Sequence, residues 1–364
     1  MIGLLSFTPF FEKSAYEELR SACDFKVLER SWNRVVIRCD GTFPESAWAE
    51  SSRFIYYCLP LLSERDMPEG FSKDEMLKFL LDCLGTESYS RIGSFMIEAI
   101  QFERSGENSA KDIEVYIGTR LESAGFPVDL KKPRSRLFVV ICSDHLYAGY
   151  CASAGLSFDK VDIGRSYAAR TDKVSRAERK LSEAFRIFHM ETPPRDSHPI
   201  AIDIGAAPGG WSMELACLGY KVIAIDNAGL DTDAFAKEGI EVLKAECGSA
   251  EEDIRSFSVG SAGVLHIRCS FEEASGAVLK SGIRSDFIGI DVNAGPDISA
   301  SALLMYLPTL KDSCKSVMTI KCKTKNVRFN IEAAQMALGN ECRMVRIKAL
   351  PSNRQEITAL CVKN

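Results

Sequence analysis

The chain has only four histidines among 364 residues, and no two stand in an H-x-x-x-H spacing. Paired metal ligands on one helix face are therefore missing, and no metal is expected. Its thirteen cysteines contain no C-x-x-C, which removes zinc ribbons and thioredoxin-type motifs. They are scattered, odd in number and partly set in apolar runs, such as Cys142 in FVVICS and Cys361 in ITALCV, so reduced, buried thiols are expected. No apolar run reaches the roughly 18 residues that cross a bilayer. The first residues, MIGLLSFTPFFEKSAYEEL, lack a basic segment and meet acids early, unlike a secretory leader. The expected location is the cytoplasm, away from membranes and without a stable protein partner.

What is present points to a large folded protein. Hydrophobic residues make up 46% and charged residues 26%, enough to bury a sizeable core and too apolar for a disordered chain. At about 150 residues per domain the length suggests two to three domains. The net charge, 45 minus 50 or −5, argues against coating nucleic acid by bulk charge. It leaves room for a local basic groove. Residues 131–180 hold eleven Lys/Arg against five acids and residues 311–348 nine against three, whereas residues 226–298 hold fourteen acids and six bases. Such a distribution reads either as ordinary surface mixing or as basic edges, flanked by an acidic lobe, that confine RNA to one face.

Patterning divides the chain. Residues 1–60 read as strand (IGLLSF), helix (FEKSAYEELRSA), two strands (FKVLERS and RVVIRCD, turning at Trp32 and Asn33) and an amphipathic helix, SSRFIYYCL. Residues 61–155 give a helix (DEMLKFLLDCL), a strand (SFMIEAIQF), a helix over AKDIEVYIGTRLESAG and two strands, RLFVVICSD and HLYAGYCAS. Before these strands Lys131, Lys132, Arg134 and Arg136 cluster around Pro133, either a solvated turn or a phosphate-contacting edge. Residues 156–175 carry no periodicity and read as a linker. From 176 onward helices alternate with near-continuous apolar strands (HPIAIDIG, KVIAID, DFIGIDV, SVMTIKC), the signature of an α/β parallel sheet covered on both faces. GVLHIRC is a further candidate strand. CRMVRIKAL and QEITALCVK, joined by Pro351-Ser352-Asn353, read as an antiparallel edge hairpin.

The sharpest local signal is AIDIGAAPGGWS. A strand ends at Ile204, and Gly205, Gly209 and Gly210 let the backbone turn tightly and approach a ligand, with Ala207 and Pro208 between them and Trp211 opening the next helix. The following strand ends in Asp226, a carboxylate placed to accept both ribose hydroxyls of a nucleoside. Because Ala207 and Pro208 break the G-x-G-x-x-G pattern, a nicotinamide-dependent dehydrogenase is disfavoured.

GAAPGGW resembles the S-adenosylmethionine motif of the FtsJ-type ribose methyltransferases. That resemblance implies a Lys-Asp-Lys-Glu set. SRAERKLSEAF places Lys180, IGIDVNAGP places Asp291, VMTIKC places Lys321 and SNRQEITALCV places Glu356. It implies cofactor contacts at Ser175, Gly205, Ala207, Pro208, Gly209, Gly210, Trp211, Asp226 and Asp291. An adenine-side residue follows the third strand: Ser270 if that strand is GVLHIRC, a position near Glu246 or Cys247 if it is EVLKA. Removing a proton from a ribose hydroxyl needs a base, and a lysine serves if burial and a neighbouring cation lower its pKa. Lys321 is assigned as that base, with Asp291 orienting the lysines and Lys180 and Glu356 positioning the ribose and Lys321. Base-methylating relatives of this fold carry an Asn/Asp-Pro-Pro-Tyr/Phe motif where this chain reads Asp291-Val-Asn-Ala-Gly-Pro296, which favours ribose oxygen as the target.

Residues 109–150 resemble a THUMP domain, an RNA-binding module, and residues 1–60 the ferredoxin-like unit that precedes it. The order is similar to that of the bacterial large-subunit rRNA cytidine 2′-O-methyltransferases. The expected architecture is thus an α+β ferredoxin-like unit (1–60), a THUMP domain (61–155), a linker (156–175) and a Rossmann-like α/β methyltransferase sheet (176–364). The implied partner is structured RNA, rRNA first and tRNA second, contacted through Lys131, Lys132, Arg134, Arg136, Arg176, Lys323 and Lys325. A catalytically silent RNA-binding protein with the same fold is the alternative of a different class.

Overall fold

The computed structural model describes residues 1–41, 46–67, 71–102, 108–153, 176–194, 197–260, 262–322 and 326–364, apart from the side chains of residues 46, 47, 50, 86–92 and 176. The expected linker and Ser175, Lys323, Lys325 and the Arg176 side chain lie outside the described residues. The chain divides into two compact units, Met1–Ser166 and Tyr167–Asn364.

The first unit opens with β1 (Ile2–Phe7), α1 (Glu12–Arg20), β2 (Phe25–Arg30), β3 (Arg34–Cys39), α2 (Ser46–Ser51) and β4 (Ile55–Leu61). These strands form one antiparallel sheet in the order β2-β3-β1-β4. Here one expectation fails: most of SSRFIYYCL is strand, not helix. Residues 55–59 are all buried, so the run carries no period of its own, and pairing with β1 (Leu4 opposite Leu59, Leu5 opposite Cys58) decides its conformation.

A second sheet follows from β5 (Ser63–Asp66), α3 (Lys73–Ile92), β6 (Phe95–Gln101), α4 (Ala110–Ser123), β7 (Ser135–Ile141) and β8 (His145–Ala152), in the order β5-β8-β7-β6. Leu80 of α3 and Ile113, Ile117 and Leu121 of α4 pack on Ile97, Leu137, Val139 and Leu146. Ser109 starts α4 by accepting from the Asp112 N–H, while Asp112 accepts from the Ser109 N–H, so both ends of that exchange satisfy open helix donors. β5 was not anticipated. Its Ser-Glu-Arg-Asp sequence is polar because it is an edge strand, and backbone pairing with β8 alone defines it.

The second unit runs α5 (Arg176–Ile187), β9 (Ile200–Ile204), α6 (Gly210–Cys217), β10 (Lys221–Ile225), α7 (Thr232–Lys237), β11 (Val242–Ala245), α8 (Ala250–Val259), β12 (Val264–Ile267), α9 (Phe271–Ser281), β13 (Ser285–Ile290), α10 (Pro296–Tyr306), β14 (Leu310–Lys321), α11 (Val327–Leu338), β15 (Cys342–Lys348) and β16 (Glu356–Lys363). Its sheet is ordered β11-β12-β10-β9-β13-β14-β16-β15. All pairs are parallel except those of β16, which lies antiparallel between β14 and β15. Both candidate third strands form, with β12 beside β10 and β11 outside it at the edge.

Side-chain alternation splits the sheet into two faces. Ile202, Ile204, Ile223, Ile225, Leu265, Ile288 and Ile290 join one core with residues of α8 to α11. On the other face Phe185 of α5 meets Phe287 of β13 at 5.4 Å between ring centroids, which docks α5 on the sheet. Parallel order reverses at β9, so the loops after β9 and β13 flank the crevice where ligands of open α/β sheets bind.

Candidate active site

Four elements deliver the Lys-Asp-Lys-Glu set to one point. Lys180 sits in the second turn of α5, Asp291 directly after β13, Lys321 at the last residue of β14 and Glu356 at the first residue of β16. Lys321 and Glu356 are direct cross-strand partners, so the antiparallel register of β14 and β16 brings them together. Lys180 Nζ lies 3.3 Å from Asp291 Oδ2, and Lys321 Nζ donates to Asp291 Oδ1 at 2.9 Å. Glu356 closes the square by ion-pairing through Oε1 with Lys180 and through Oε2 with Lys321. The four side chains are 10–16% exposed.

A fifth residue, Thr319, which no sequence motif singles out, joins the set. Its hydroxyl donates to Asp291 Oδ1 at 2.8 Å. Two residues before Lys321 on the same strand, it shares that lysine's face, which is the signal that could have found it.

The electrostatics correct one expectation. Lys321 was expected to be depressed by burial and a neighbouring cation. Burial does push it down, but Asp291 and Glu356 together outweigh burial and hold Lys321 above the usual lysine range. The carboxylates stand between the two ammoniums rather than beside them. Asp291 is the mirror case. Burial pushes its carboxyl up, and the charges of Lys180 and Lys321 with the hydrogen bonds from Lys321 and Thr319 overcome this and hold it below the usual range.

The glycine-rich loop borders the same site. Gly205 has φ +79°, and a Cβ there would lie 2.9 Å from the Asp291 carbonyl carbon and oxygen, so the β9 and β13 loops touch because this residue has no side chain. Gly209 has φ +119° and would place a Cβ 2.5 Å from Phe235. Asp226, after β10, accepts from the Ala207 N–H at 3.0 Å and the Ala228 N–H at 2.8 Å. Each of its oxygens keeps a lone pair for a further donor. Pro208 is exposed and lines a cleft of about 650 Å³ together with Lys180, Lys321, Asn293, Arg354 and Glu356.

Other assigned residues behave differently. The Trp211 indole is buried under β13, where a Cβ at Gly289 would come within 2.8 Å of its ring, so its side chain packs the sheet rather than lining the cleft. Ser270 caps α9. Its hydroxyl accepts from the Glu273 N–H at 3.3 Å and its N–H donates to Glu273 at 3.1 Å, which leaves the hydroxyl proton as its open polar function. Asp203 of β9 was overlooked. It is wholly buried, accepts from Ser212 Oγ at 2.6 Å, and is pushed up to about 7 by burial, with the nearby Asp291 and Asp226 charges adding to it. His266 is also buried, and burial lowers its pKa, so the imidazole is neutral at pH 7.

In the first unit the basic cluster does not survive whole. Lys131, Lys132 and Arg134 are exposed, with the N–H groups of both lysines turned onto Asp129 Oδ1 at 2.9 Å. Arg136 is not an RNA-facing residue. It is buried in β7, and its Nη1 donates to the equally buried Glu98 of β6 at 2.9 Å. Every residue of β7 is buried, so both faces of this strand are covered, and a charge on either face needs a partner. Among the described residues no helix is long and apolar enough to cross a membrane, and no group of histidine, cysteine and acid side chains could hold a metal.

Parts of the chain are similar to known proteins. The ribosomal RNA large subunit methyltransferase M of Thauera aminoaromatica is 46% identical over 76 residues, 20% of this chain and 21% of the relative. That of Azoarcus sp. (strain BH72) is 33% identical over 150 residues, 39% of this chain and 38% of the relative. That of Shewanella pealeana is 26% identical over 184 residues, covering 49% and 50%. The chain thus spans half or less of the length of these curated relatives. Among solved structures, TrmN from Thermus thermophilus aligns over 100% of both chains at 17% identity, with a TM-score of 0.39. Residues 173–271 match the FtsJ-like methyltransferase family, a stretch that holds Lys180, the glycine-rich loop, Asp226 and Ser270.

Proposed function

We propose that this chain is an S-adenosylmethionine-dependent ribose 2′-O-methyltransferase of structured RNA, with rRNA as substrate. The observation that carries the reading is the closed Lys180–Asp291–Lys321–Glu356 cluster directly beside the loop after β9. The residues present fit the cofactor. Gly205 leaves a cradle that any Cβ would fill, and Asp226 keeps lone pairs for ribose hydroxyls. Backbone groups of residues 205–210 would hold its methionine side, with Asp226 at the ribose and Ser270 near the adenine. S-adenosylmethionine, when bound, supplies an electrophilic methyl group on a sulfonium.

The chain's own residues supply the proton chemistry. Lys321 Nζ, once it has released its proton, takes the proton of the ribose 2′-hydroxyl. Asp291 and Glu356 fix that nitrogen, and Lys180 fixes Glu356 from the other side, so the hydroxyl meets a base already in place. The names of the relatives support rRNA as the substrate. The strand–helix–strand–strand–helix–strand path of residues 1–61, with sheet order β2-β3-β1-β4, supports a ferredoxin-like unit. We assign residues 61–155 as a THUMP domain and residues 176–364 as the methyltransferase domain.

The test is transfer of a tritiated methyl group from S-adenosylmethionine to rRNA or tRNA isolated from cells lacking the gene. The expected product is an rRNA label that survives as one alkali-resistant dinucleotide, because a 2′-O-methyl blocks cleavage of the next bond. Label in tRNA would move the substrate. Label on a base, or none with a protein shown to bind the cofactor, would overturn the reading.

A further inference from the structure

The cluster is electrically closed. Lys180 and Lys321 bring two positive charges, Asp291 and Glu356 two negative ones, and all four ion pairs between them are made. Arg354 is the remaining ionised side chain that lines the cleft. It is exposed and has no carboxylate partner among the described residues. The net charge that the described lining presents to an incoming molecule therefore comes from this guanidinium.

Its place is built rather than incidental. On its N-terminal side Ser352 and Asn353 are buried. The Ser352 N–H and hydroxyl donate to the Glu183 carboxylate of α5 at 2.9 and 2.6 Å, and Asn353 Nδ2 donates to Thr358 Oγ1 at 3.1 Å. On its C-terminal side the Cys322 N–H, just past β14, donates to the Gln355 carbonyl at 2.7 Å. Glu183 is one turn along α5 from Lys180, and Gln355 immediately precedes Glu356. The elements that carry the cluster, α5, β14 and β16, therefore also hold the backbone that carries Arg354. A guanidinium is a planar fork of donors matched to an oxyanion and is permanently charged.

We infer that Arg354 binds the phosphodiester next to the ribose that enters the cleft, an inference that rests on the RNA reading above. Such a contact sets the position of the backbone over Lys321 and carries no base identity. A neutral cluster needs a separate anchor of this kind, since its own lysines are already matched.

The experiment is fluorescence-anisotropy binding of an in vitro large-subunit rRNA transcript to the full chain and to its Arg354→Ala and Arg354→Lys variants, over a range of salt. S-adenosylmethionine binding is measured in parallel by calorimetry. For Arg354→Ala we expect RNA binding weakened roughly ten- to hundredfold. The salt slope should fall by about one, with cofactor affinity unchanged. Arg354→Lys, which keeps the charge and loses the fork, should recover part of the loss. Equal affinity and slope for Arg354→Ala and the unaltered chain would overturn the assignment of Arg354 and leave the RNA reading standing. Cofactor affinity lost together with RNA affinity would also overturn it, since the turn itself would have moved. An unaltered chain that binds no transcript would overturn the RNA reading and this inference with it.

Discussion

Replacing Glu356 with glutamine tests the proposed role of Lys321 as base. In the intact site Lys321 faces two carboxylates, and their attraction holds it above the usual lysine value of 10.5 against the effect of burial. Glutamine keeps the shape and the hydrogen-bonding oxygen but removes one charge. Lys180 and Lys321 must then share Asp291. An opposite charge at this range moves a pKa by about one to three pH units, so the Lys321 pKa should fall by that much in Glu356→Gln. If Lys321 must be neutral to act, the rate of methyl transfer rises with pH until Lys321 is deprotonated. The rising limb of the single-turnover rate against pH should therefore shift to lower pH by about one to three units in the variant. The plateau height can drop because positioning is lost, but the position of the limb reports the charge alone. A limb at the same pH in both proteins, or one shifted upward, would refute the assignment of Lys321 as the base held up by Glu356. The substitution also leaves two ammoniums on one carboxylate in a site 10–16% exposed, which should cost about 3–5 kcal/mol of stability. In the intact chain Asp291 stabilises above its usual 3.8 and loses this as pH falls through its depressed value, while Lys321 stabilises below 10.5 and loses this as pH rises through its raised value.

Three further outcomes follow from the same geometry. Lys321→Ala should leave S-adenosylmethionine affinity intact by calorimetry and abolish methyl transfer, and an active variant would move the base elsewhere. Asp203→Asn removes a carboxyl whose pKa rises from 3.8 to about 7 on burial, so ionising it in the folded chain costs up to about 4 kcal/mol between those values. Relative to the unaltered chain, the variant should gain Tm between about pH 4 and pH 7 and level off above that, and a pH-independent difference would show that Asp203 keeps an ordinary pKa. Gly205→Ala meets both a left-handed φ of +79° and the Asp291 backbone at 2.9 Å, whereas Gly282→Ala meets a φ of +73° with nothing within 4 Å. Both should lose about 1–3 kcal/mol from strain, with Gly205→Ala losing more and also losing cofactor binding. Equal losses in denaturant titrations would mean the two loops can part without cost.

The local order of the second unit was legible in the chain itself. Strands buried on both faces must be apolar along their length, so β9, β10, β13 and the core of β14 announce themselves. The tight turn after β9 needs glycine where the backbone of Asp291 passes, and three of the cluster residues, Asp291, Lys321 and Glu356, fall at a strand end, while Lys180 lies in α5. Periodicity could not decide Ile55–Leu61, because a run buried throughout has no face to reveal. It could not show that both β11 and β12 form, nor that β5 exists, because an edge strand depends on a neighbour's backbone rather than on its own pattern.

Charge was the quantity the sequence stated least well. By itself the sequence determined which residue types stand at which strand ends, and so which chemistry the site can hold. Tertiary structure alone decided how those charges meet. Arg136 is matched by Glu98 and withdrawn from solvent, and Lys321 is raised rather than depressed because two carboxylates reach it from β13 and β16. Arg354 has no carboxylate partner among the described residues, while its neighbours Ser352 and Asn353 bond to Glu183 and Thr358. A pKa depends on which charges lie within a few ångströms, and residues distant in the chain come that close only when the sheet assembles.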